Sequence, residues 1–429
     1  MLLTPHSALL SVAAFFGGHA RHVVPFPPVA PGAPYAGVSA AKNRTGEVAA
    51  LIGAGVVTAF AIGKAPIALP LLQRDFALSP VSESLIISLL SLIGAFTATI
   101  FGTLADRLGH RRLLLAGLGV LGAASIAGSV VTSAGALLAT RFVEGIGFVV
   151  VVVSGPRLIT AAAGEAHRRL ALALWSAYVP AGTALVMVLA PLALQHGGWR
   201  ALWAAVGVVT WIAAVVAGVA SARSPRIPLA PRSVRADLRA IARAPLPVAL
   251  AIGFTGYAAA YLALVGFLPT MLAGAGATTG VAAIVSALVV VANGCGNVGA
   301  GFIARRRGAA PLIAIAASVM GLCAGLSFVP AFPVTSRLVL ALIGALAGGS
   351  VPASIMLSVP DAAPSPRLLA TTQGLVVQGS NAGQVLGPIA VAAAGGVTGS
   401  IAAAALVLVL SVMPLATAAA LARAGARVR

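Results

Sequence analysis

Apolar stretches of about 20 residues recur along almost the whole chain, and they restrict its fold more than any other feature. A stretch of this length can cross a bilayer as a helix, and a backbone inside lipid must satisfy its own hydrogen bonds. Only 8% of the 429 residues are charged, whereas a soluble protein exposes far more charge. The sequence therefore predicts an all-α integral membrane protein. We place twelve transmembrane helices near residues 49–72, 83–104, 112–132, 135–159, 170–193, 200–222, 246–271, 279–303, 309–329, 338–359, 369–394 and 399–422.

The basic residues fall mainly on one side of this arrangement. With the N-terminus inside, 21 of the 27 Lys and Arg residues lie in cytoplasmic segments, as the positive-inside rule requires. This distribution accounts for the net charge of +19 and argues against a nucleic-acid partner. The preference for Arg over Lys, with heavy use of Ala and Gly, is typical of a GC-rich bacterium. We expect a multi-pass protein of a bacterial inner membrane with both termini in the cytoplasm.

The polar segment 223–245 divides the helices into two groups of six. Two such halves, 48–222 and 246–424, joined by a basic cytoplasmic linker, suggest a duplicated transporter. Its substrate site is expected between the halves, near mid-membrane. The proline-rich residues 1–47 are predicted to form a flexible tail, with a cleaved signal peptide as the alternative, and residues 425–429 form a short C-terminal tail.

A loop between predicted helices 2 and 3 carries the most specific motif in the chain. It reads Gly-Thr-Leu-Ala-Asp-Arg-Leu-Gly-His-Arg-Arg and contains Gly102, Asp106, Arg107, Gly109, Arg111 and Arg112. This loop resembles the signature loop of the major facilitator superfamily at nearly every residue. In predicted helix 4, the segment from Arg141 through Glu144 to Gly147 resembles the family's R-x-x-x-G-x-G motif. A finer similarity, over residues 172–203, is to the cyanate-permease-like branch.

The resemblance covers roughly residues 48–424 and implies two pseudo-symmetric six-helix bundles that transport a solute by alternating access. It also implies that the loop is a conformational lock, in which Asp106 meets the second half near the start of helix 11. The corresponding loop of the second half, residues 299–308, keeps its glycines and arginines but lacks the Asp. The lock is therefore expected to be asymmetric.

Ionisable residues inside the membrane are costly and are candidates for function. Lys64 and Arg141 lie at similar predicted depth, and Glu144 is one turn from Arg141 on the same helix face. One interpretation is an intrahelical Arg141–Glu144 pair. The other is that two cations facing one carboxylate leave a positive charge for an anionic solute, with Glu144 as the proton-coupling residue.

Polar and aromatic residues near mid-membrane complete the predicted cavity. The family architecture favours helices 1, 4 and 7 as its lining, and packing between helices is the alternative role for each residue. The substrate-binding candidates besides Lys64 and Arg141 are Tyr178, Tyr257, Tyr261, Asn293, Gln378 and Asn381.

The sequence favours a secondary active transporter of a small organic or inorganic anion, coupled to protons. Export of drugs or metabolites is the alternative, although predicted helix 5 lacks the G-P-x-x-G-G run of the family's proton-coupled drug exporters. A membrane-embedded enzyme is disfavoured because all six histidines fall in the tail or loops. We expect a monomer in the lipid bilayer with a small-molecule substrate, no cofactor and no metal.

Overall fold

The computed structural model describes residues 44–164, 167, 171, 174–175, 177–222, 239–365 and 368–428. Within them, the side chains at 99–100, 102–103, 105–107, 302, 305–306, 369–370 and 427–428 are not described. The predicted tail and most of the linker lie outside these residues. The described helices are α1 (Thr45–Thr58), α2 (Phe60–Phe76), α3 (Pro80–Leu108), α4 (His110–Ser129), α5 (Ala134–Ala162), α6 (Tyr178–Ala220), α7 (Pro245–Gly274), α8 (Thr279–Arg307), α9 (Ala309–Ser327), α10 (Val334–Gly348), α11 (Ser350–Ala362), α12 (Leu369–Ala393) and α13 (Ile401–Val428).

The described helices are consistent with the twelve predicted crossings. Ten segments of the described chain are long and apolar enough to span a membrane. One of them, α6, has 43 residues and breaks at Gly197 and Gly198, where the backbone leaves helical geometry. Its two limbs are separate crossings, because a single crossing needs only about 20 residues. The 25-residue α12 supplies the remaining one.

Two predicted single helices are each divided in the structure. The first crossing consists of α1 and α2, which meet at Ala59, and the tenth consists of α10 and α11, which meet at Gly349. Gly349 lies against α8, where a Cβ atom would come within 2.8 Å of the Asn297 backbone nitrogen. The break therefore coincides with a close helix approach that requires a residue without a side chain.

The two groups of helices meet through α3 with α12, α6 with α8, and α2 with α7. We call the face on which α1 begins and α13 ends the tail face, and the other the opposite face. Between mid-depth and the opposite face, Ile87 of α3 packs on Gly266 of α7. Ile67 of α2 and Phe267 of α7 are buried in the same apolar cluster. The halves are thus closed against each other on this side.

Candidate functional site

A cavity of about 220 Å³ lies between the two halves at mid-depth. The described residues that line it include no charged side chain. Its apolar wall includes Phe254, Leu262, Val265 and Val290, and its polar groups come from Thr183, Tyr257, Tyr261, Asn293, Asn297, Ser380 and Gln384. The position between the halves agrees with the site expected from the duplication. The lining is suited to an apolar or aromatic solute with a few hydrogen-bonding groups.

Two stacked tyrosines form one wall of the cavity. Tyr257 and Tyr261 are one helical turn apart on α7, and their rings lie 5.6 Å apart at an interplanar angle of 7°. The Tyr257 hydroxyl donates to Asn293 Oδ1 at 3.0 Å, and Asn293 Nδ2 donates to the Ala345 carbonyl at 3.0 Å. This chain of hydrogen bonds fixes the orientation of Tyr257. Tyr257, Tyr261 and Asn293, which the sequence predicted as substrate-binding candidates, therefore meet at this cavity.

The wall formed by α12 presents Ser380 and Gln384 rather than the predicted residues of this helix. Gln384 Nε2 donates to Ser380 Oγ at 3.2 Å, and Gln384 Oε1 accepts from Ser91 Oγ of α3 at 2.8 Å. Asn381 instead faces Gly94 of α3. Gln378 is half-buried and does not line this cavity. Gln384 lies one turn after Ser380 on the same helix face, and this i,i+4 polar pair was the available sequence signal.

Tyr178 also lies away from the cavity. It is buried in an apolar cluster formed by α1, α4, α5 and α6. Its ring packs against Trp175 at 4.8 Å. Val179 and Pro180, the next two residues, do line the cavity. The helix is therefore rotated about its axis, by about one residue, from the orientation that the sequence predicted.

Lys64, Glu144 and Arg141 form a cluster that is fully buried within the first group of helices. Lys64 Nζ donates to Glu144 Oε1 at 2.6 Å and to Ser125 Oγ at 2.7 Å, and Arg141 Nη1 forms an ion pair with Glu144 Oε2. All three ionisable side chains have 0% exposure. The Lys64 ammonium also lies 4.5 Å from the centre of the Trp203 ring. One carboxylate thus serves two cations at the junction of α2, α4, α5 and α6.

The Arg141 guanidinium also connects α5 to its neighbours. Nε donates to the Ile86 carbonyl of α3 at 2.9 Å, and Nη1 donates to the Ala61 carbonyl of α2 at 3.0 Å. Nη2 is buried and has no hydrogen-bond partner among the described residues. None of the three charged residues lines the cavity. The predicted intrahelical pair is therefore present, and Lys64 joins it from α2.

The glycines of the Arg141–Gly147 motif let α5 approach two other helices. A Cβ atom on Gly145 would lie 2.9 Å from the Leu90 carbonyl of α3. One on Gly147 would lie 2.6 Å from the Gly117 carbonyl of α4 and 2.7 Å from the Leu121 nitrogen. The motif therefore combines close packing of α5 with the buried ion pairs that this packing encloses.

The described part of the predicted lock loop shows a sharp turn and an anchored arginine. Gly109 has a φ of +94° between α3 and α4, a conformation that favours glycine, and Gly308 has a φ of +82° between α8 and α9. Arg111 donates to the Ser221 hydroxyl at 3.1 Å and to the Gly218 carbonyl at 2.8 Å, and Arg112 is exposed. The surroundings of Gly102 and the side chains of Asp106 and Arg107 lie outside the description.

Glu83 is a buried acid that the sequence analysis did not identify. It is 4% exposed, and its Oε2 atom has no hydrogen-bond partner among the described residues. The predicted second helix begins at this residue, which would then lie at the membrane surface. The structure begins α3 at Pro80, which brings Glu83 inside. The Ser79–Pro80 pair, typical of a helix start, was the available signal.

The sequence profile described as "Major Facilitator Superfamily" matches residues 51–388. The chain is 34% identical over 137 residues to the multidrug efflux pump LfrA of Mycolicibacterium smegmatis. This match covers 32% of this chain and 27% of that protein. It is 29% identical over 167 residues to the tetracenomycin C resistance and export protein of Streptomyces glaucescens, covering 39% and 31% of the two chains. The matches thus span less than a third of each relative. They do not confirm the similarity to the cyanate-permease-like branch.

Solved transporter structures share the fold over most of the chain. A bacterial homologue of the human lysosomal transporter Spinster, in an inward-facing and occupied conformation, superposes with a TM-score of 0.71 at 18% identity. That match covers 90% of this chain and 96% of the other. A D-xylose–proton symporter superposes with a TM-score of 0.67 at 16% identity, covering 87% and 97% of the two chains.

Proposed function

Because the chain belongs to the major facilitator superfamily, and so is a multi-pass membrane transporter rather than an enzyme, we propose that it exports small organic molecules in exchange for protons. The observation that carries this proposal is the uncharged lining of the cavity between the halves. Charge-free walls with stacked tyrosines favour aromatic and apolar solutes, whereas an anion would require an exposed cation. Similarity to efflux and resistance proteins supports the same choice.

Transport of a small anion, which the sequence favoured, is the weaker candidate. It depended on a positive charge at Lys64 and Arg141 that a solute could reach. Both side chains are fully buried and bound to Glu144, and neither lines the cavity. The charged cluster is better suited to proton coupling, in which Glu144 holds two cations within the helix bundle. The comparisons with known proteins also favour export over anion transport.

The proposed direction of loading is from the cytoplasm. The excess of Lys and Arg near the tail face supports a cytoplasmic location for that face, with both termini inside. The halves are closed between the cavity and the opposite face, where Ile87 meets Gly266. The loop containing Asp106 is proposed as the lock of the other state, and the transporter is proposed to act as a monomer.

The test is an accumulation assay in a bacterial strain that lacks its major exporters. Cells expressing the protein are loaded with ethidium, with uncharged planar aromatics or with small carboxylates. We expect lower accumulation of the aromatic compounds and no effect on the carboxylates. Concentrative uptake of carboxylates, lost in Lys64→Ala and Arg141→Ala, would instead establish the anion function.

A substitution in the aromatic wall tests the cavity itself. Tyr261→Ala removes one ring of the stacked pair, and an aromatic contact contributes about 0.5–1.5 kcal/mol, or roughly a 2- to 10-fold change in KM. Phe96→Ala is the matched control, because Phe96 is an aromatic residue of α3 with 74% exposure. Equal transport by the two variants would show that the tyrosine wall does not bind the substrate.

A further inference from the structure

The Lys64–Glu144–Arg141 cluster carries a net positive charge when all three side chains are ionised. Each has 0% exposure, so bulk water does not reach the excess charge, which is costly to bury. Loss of one proton would leave a neutral cluster. A cluster of this kind has two states that differ by one proton, and the identity of the group that releases it follows from the hydrogen bonds.

Two of the three groups are poorly placed to exchange a proton. The Arg141 guanidinium stays protonated in proteins. Both carboxylate oxygens of Glu144 face a cation, with Lys64 Nζ at 2.6 Å from Oε1 and Arg141 Nη1 bound to Oε2. Protonating Glu144 would leave two buried cations facing a neutral acid. A proton on Glu144 would therefore have to displace one of these two ion pairs.

Lys64 can lose a proton and keep its hydrogen bonds. A neutral amine has two N–H groups, and Lys64 Nζ has two acceptors, Ser125 Oγ at 2.7 Å and Glu144 Oε1 at 2.6 Å. The Ser125 hydroxyl is free to accept because its own proton goes to the Trp203 carbonyl at 2.7 Å. Among the described residues, the third proton of the ammonium faces the Trp203 ring, whose centre is 4.5 Å away. The site thus accommodates both protonation states.

We propose that the proton that drives export is carried by Lys64, with Glu144 as a fixed counter-charge; this proposal rests on the proposed export function. The step is the addition of one proton to the Lys64 amine from one face of the membrane and its release to the other. No other bond forms or breaks.

The charged and titratable groups around Lys64 are few. From α5 it faces Glu144 and Arg141, and from α4 and α6 it faces the uncharged Ser125 and Trp203. Glu83, the titratable group among the described side chains of α3, forms no ion pair with another described residue. The titratable residues of α7, Tyr257 and Tyr261, line the cavity.

Helix α2 links this proton site to the cavity. Ile62, two residues before Lys64, lines the cavity, whereas Lys64 points into the helix bundle. Two residues correspond to a rotation of about 200° around a helix, so one helix presents opposite faces to the two sites. A change in the charge of Lys64 alters the packing of α2, and the same helix then changes the cavity wall.

The first test measures protonation without any substrate. Trp203 fluorescence in the purified protein is titrated over roughly pH 6–11, with Trp203→Phe as the subtraction control. The wild type is expected to show a titration step that is absent from Lys64→Met and Lys64→Arg, since methionine does not ionise and arginine stays charged. A step that persists in both variants, or its absence from the wild type, would overturn the assignment.

The second test measures coupling with ethidium in proteoliposomes. Lys64→Met and Lys64→Arg are expected to keep ethidium exchange down its concentration gradient. When a pH gradient drives transport, both variants are expected to accumulate about 10-fold less ethidium than the wild type, or less still. Full pH-driven accumulation by either variant would refute the proposal. A wild type that shows the Trp203 step but exports none of the probes would instead refute the export function and leave the proton site intact. The lysine-to-arginine variant keeps the positive charge, so it covers the case in which Lys64→Met fails to fold.

Discussion

Replacing Glu144 with glutamine is expected to destabilise the protein far more than replacing Lys64 with methionine. Glu144→Gln leaves both Lys64 and Arg141 buried without a counter-charge. Removing one partner of a buried ion pair typically costs about 3–5 kcal/mol, and here one carboxylate serves two partners at 0% exposure. Lys64→Met instead leaves the Arg141–Glu144 pair intact and neutral. Its expected cost is about 1–2 kcal/mol, from the acceptors left at Glu144 and Ser125.

The double variant gives the sharper comparison. Adding Lys64→Met to Glu144→Gln removes one of the two uncompensated cations, so we expect it to restore part of the lost stability. Apparent melting temperatures of the four proteins in detergent measure this coupling. For a chain of this length, roughly 1–2 °C per kcal/mol follows from the size dependence of melting. Glu144→Gln should then melt about 3–10 °C below the wild type, with the double variant above it.

If the changes in melting temperature caused by the two substitutions are additive, the expected coupling is absent. Additivity would mean that Lys64 and Glu144 do not share one electrostatic site. Asp75→Asn is a useful control, because Asp75 pairs with Arg200 at 3.1 Å on the surface and an asparagine oxygen can still accept from Trp199 Nε1, as Asp75 Oδ2 does at 2.7 Å. Exposed ion pairs contribute only about 0–1 kcal/mol, so this variant should melt close to the wild type.

Three further substitutions test other parts of the structure. Tyr257→Phe removes the hydrogen bond to Asn293 and should cost about 0.5–1.5 kcal/mol of stability, with a modest loss of ethidium export in the accumulation assay. Glu83→Gln replaces a buried carboxyl, one oxygen of which has no hydrogen-bond partner among the described residues, so the melting temperature should be unchanged or higher; a clear fall would reveal a partner for its charge. Gly147→Ala should destabilise the protein by about 1–3 kcal/mol, because a Cβ atom at this position meets the backbone of α4. Gly119→Ala, on α4, is the control in the same melting experiment, because a Cβ atom there has open space.

Part of the candidate site could be predicted because its residues are close in sequence. Arg141 and Glu144 are three residues apart, and helix geometry places them on one face whatever surrounds the helix. Tyr257 and Tyr261 stack for the same reason. The side chains at Gln378 and Asn381 share a face as expected, but the face turned to the cavity carries Ser380 and Gln384. A small rotation of a helix about its axis changes which residues meet the cavity, and periodicity cannot determine that rotation.

The sequence alone determined the membrane class and the family, because hydrophobic length and short loop motifs are local properties. Only the tertiary structure decided what the charged residues do. Lys64 and Glu144 are 80 residues apart, and Ser125 and Trp203 come from two further helices. Because they meet inside the bundle, none of the three charged side chains is among the described residues that line the cavity. Whether a polar side chain faces lipid, a neighbouring helix or a cavity depends on how helices pack against one another, and that packing is a property of the whole fold.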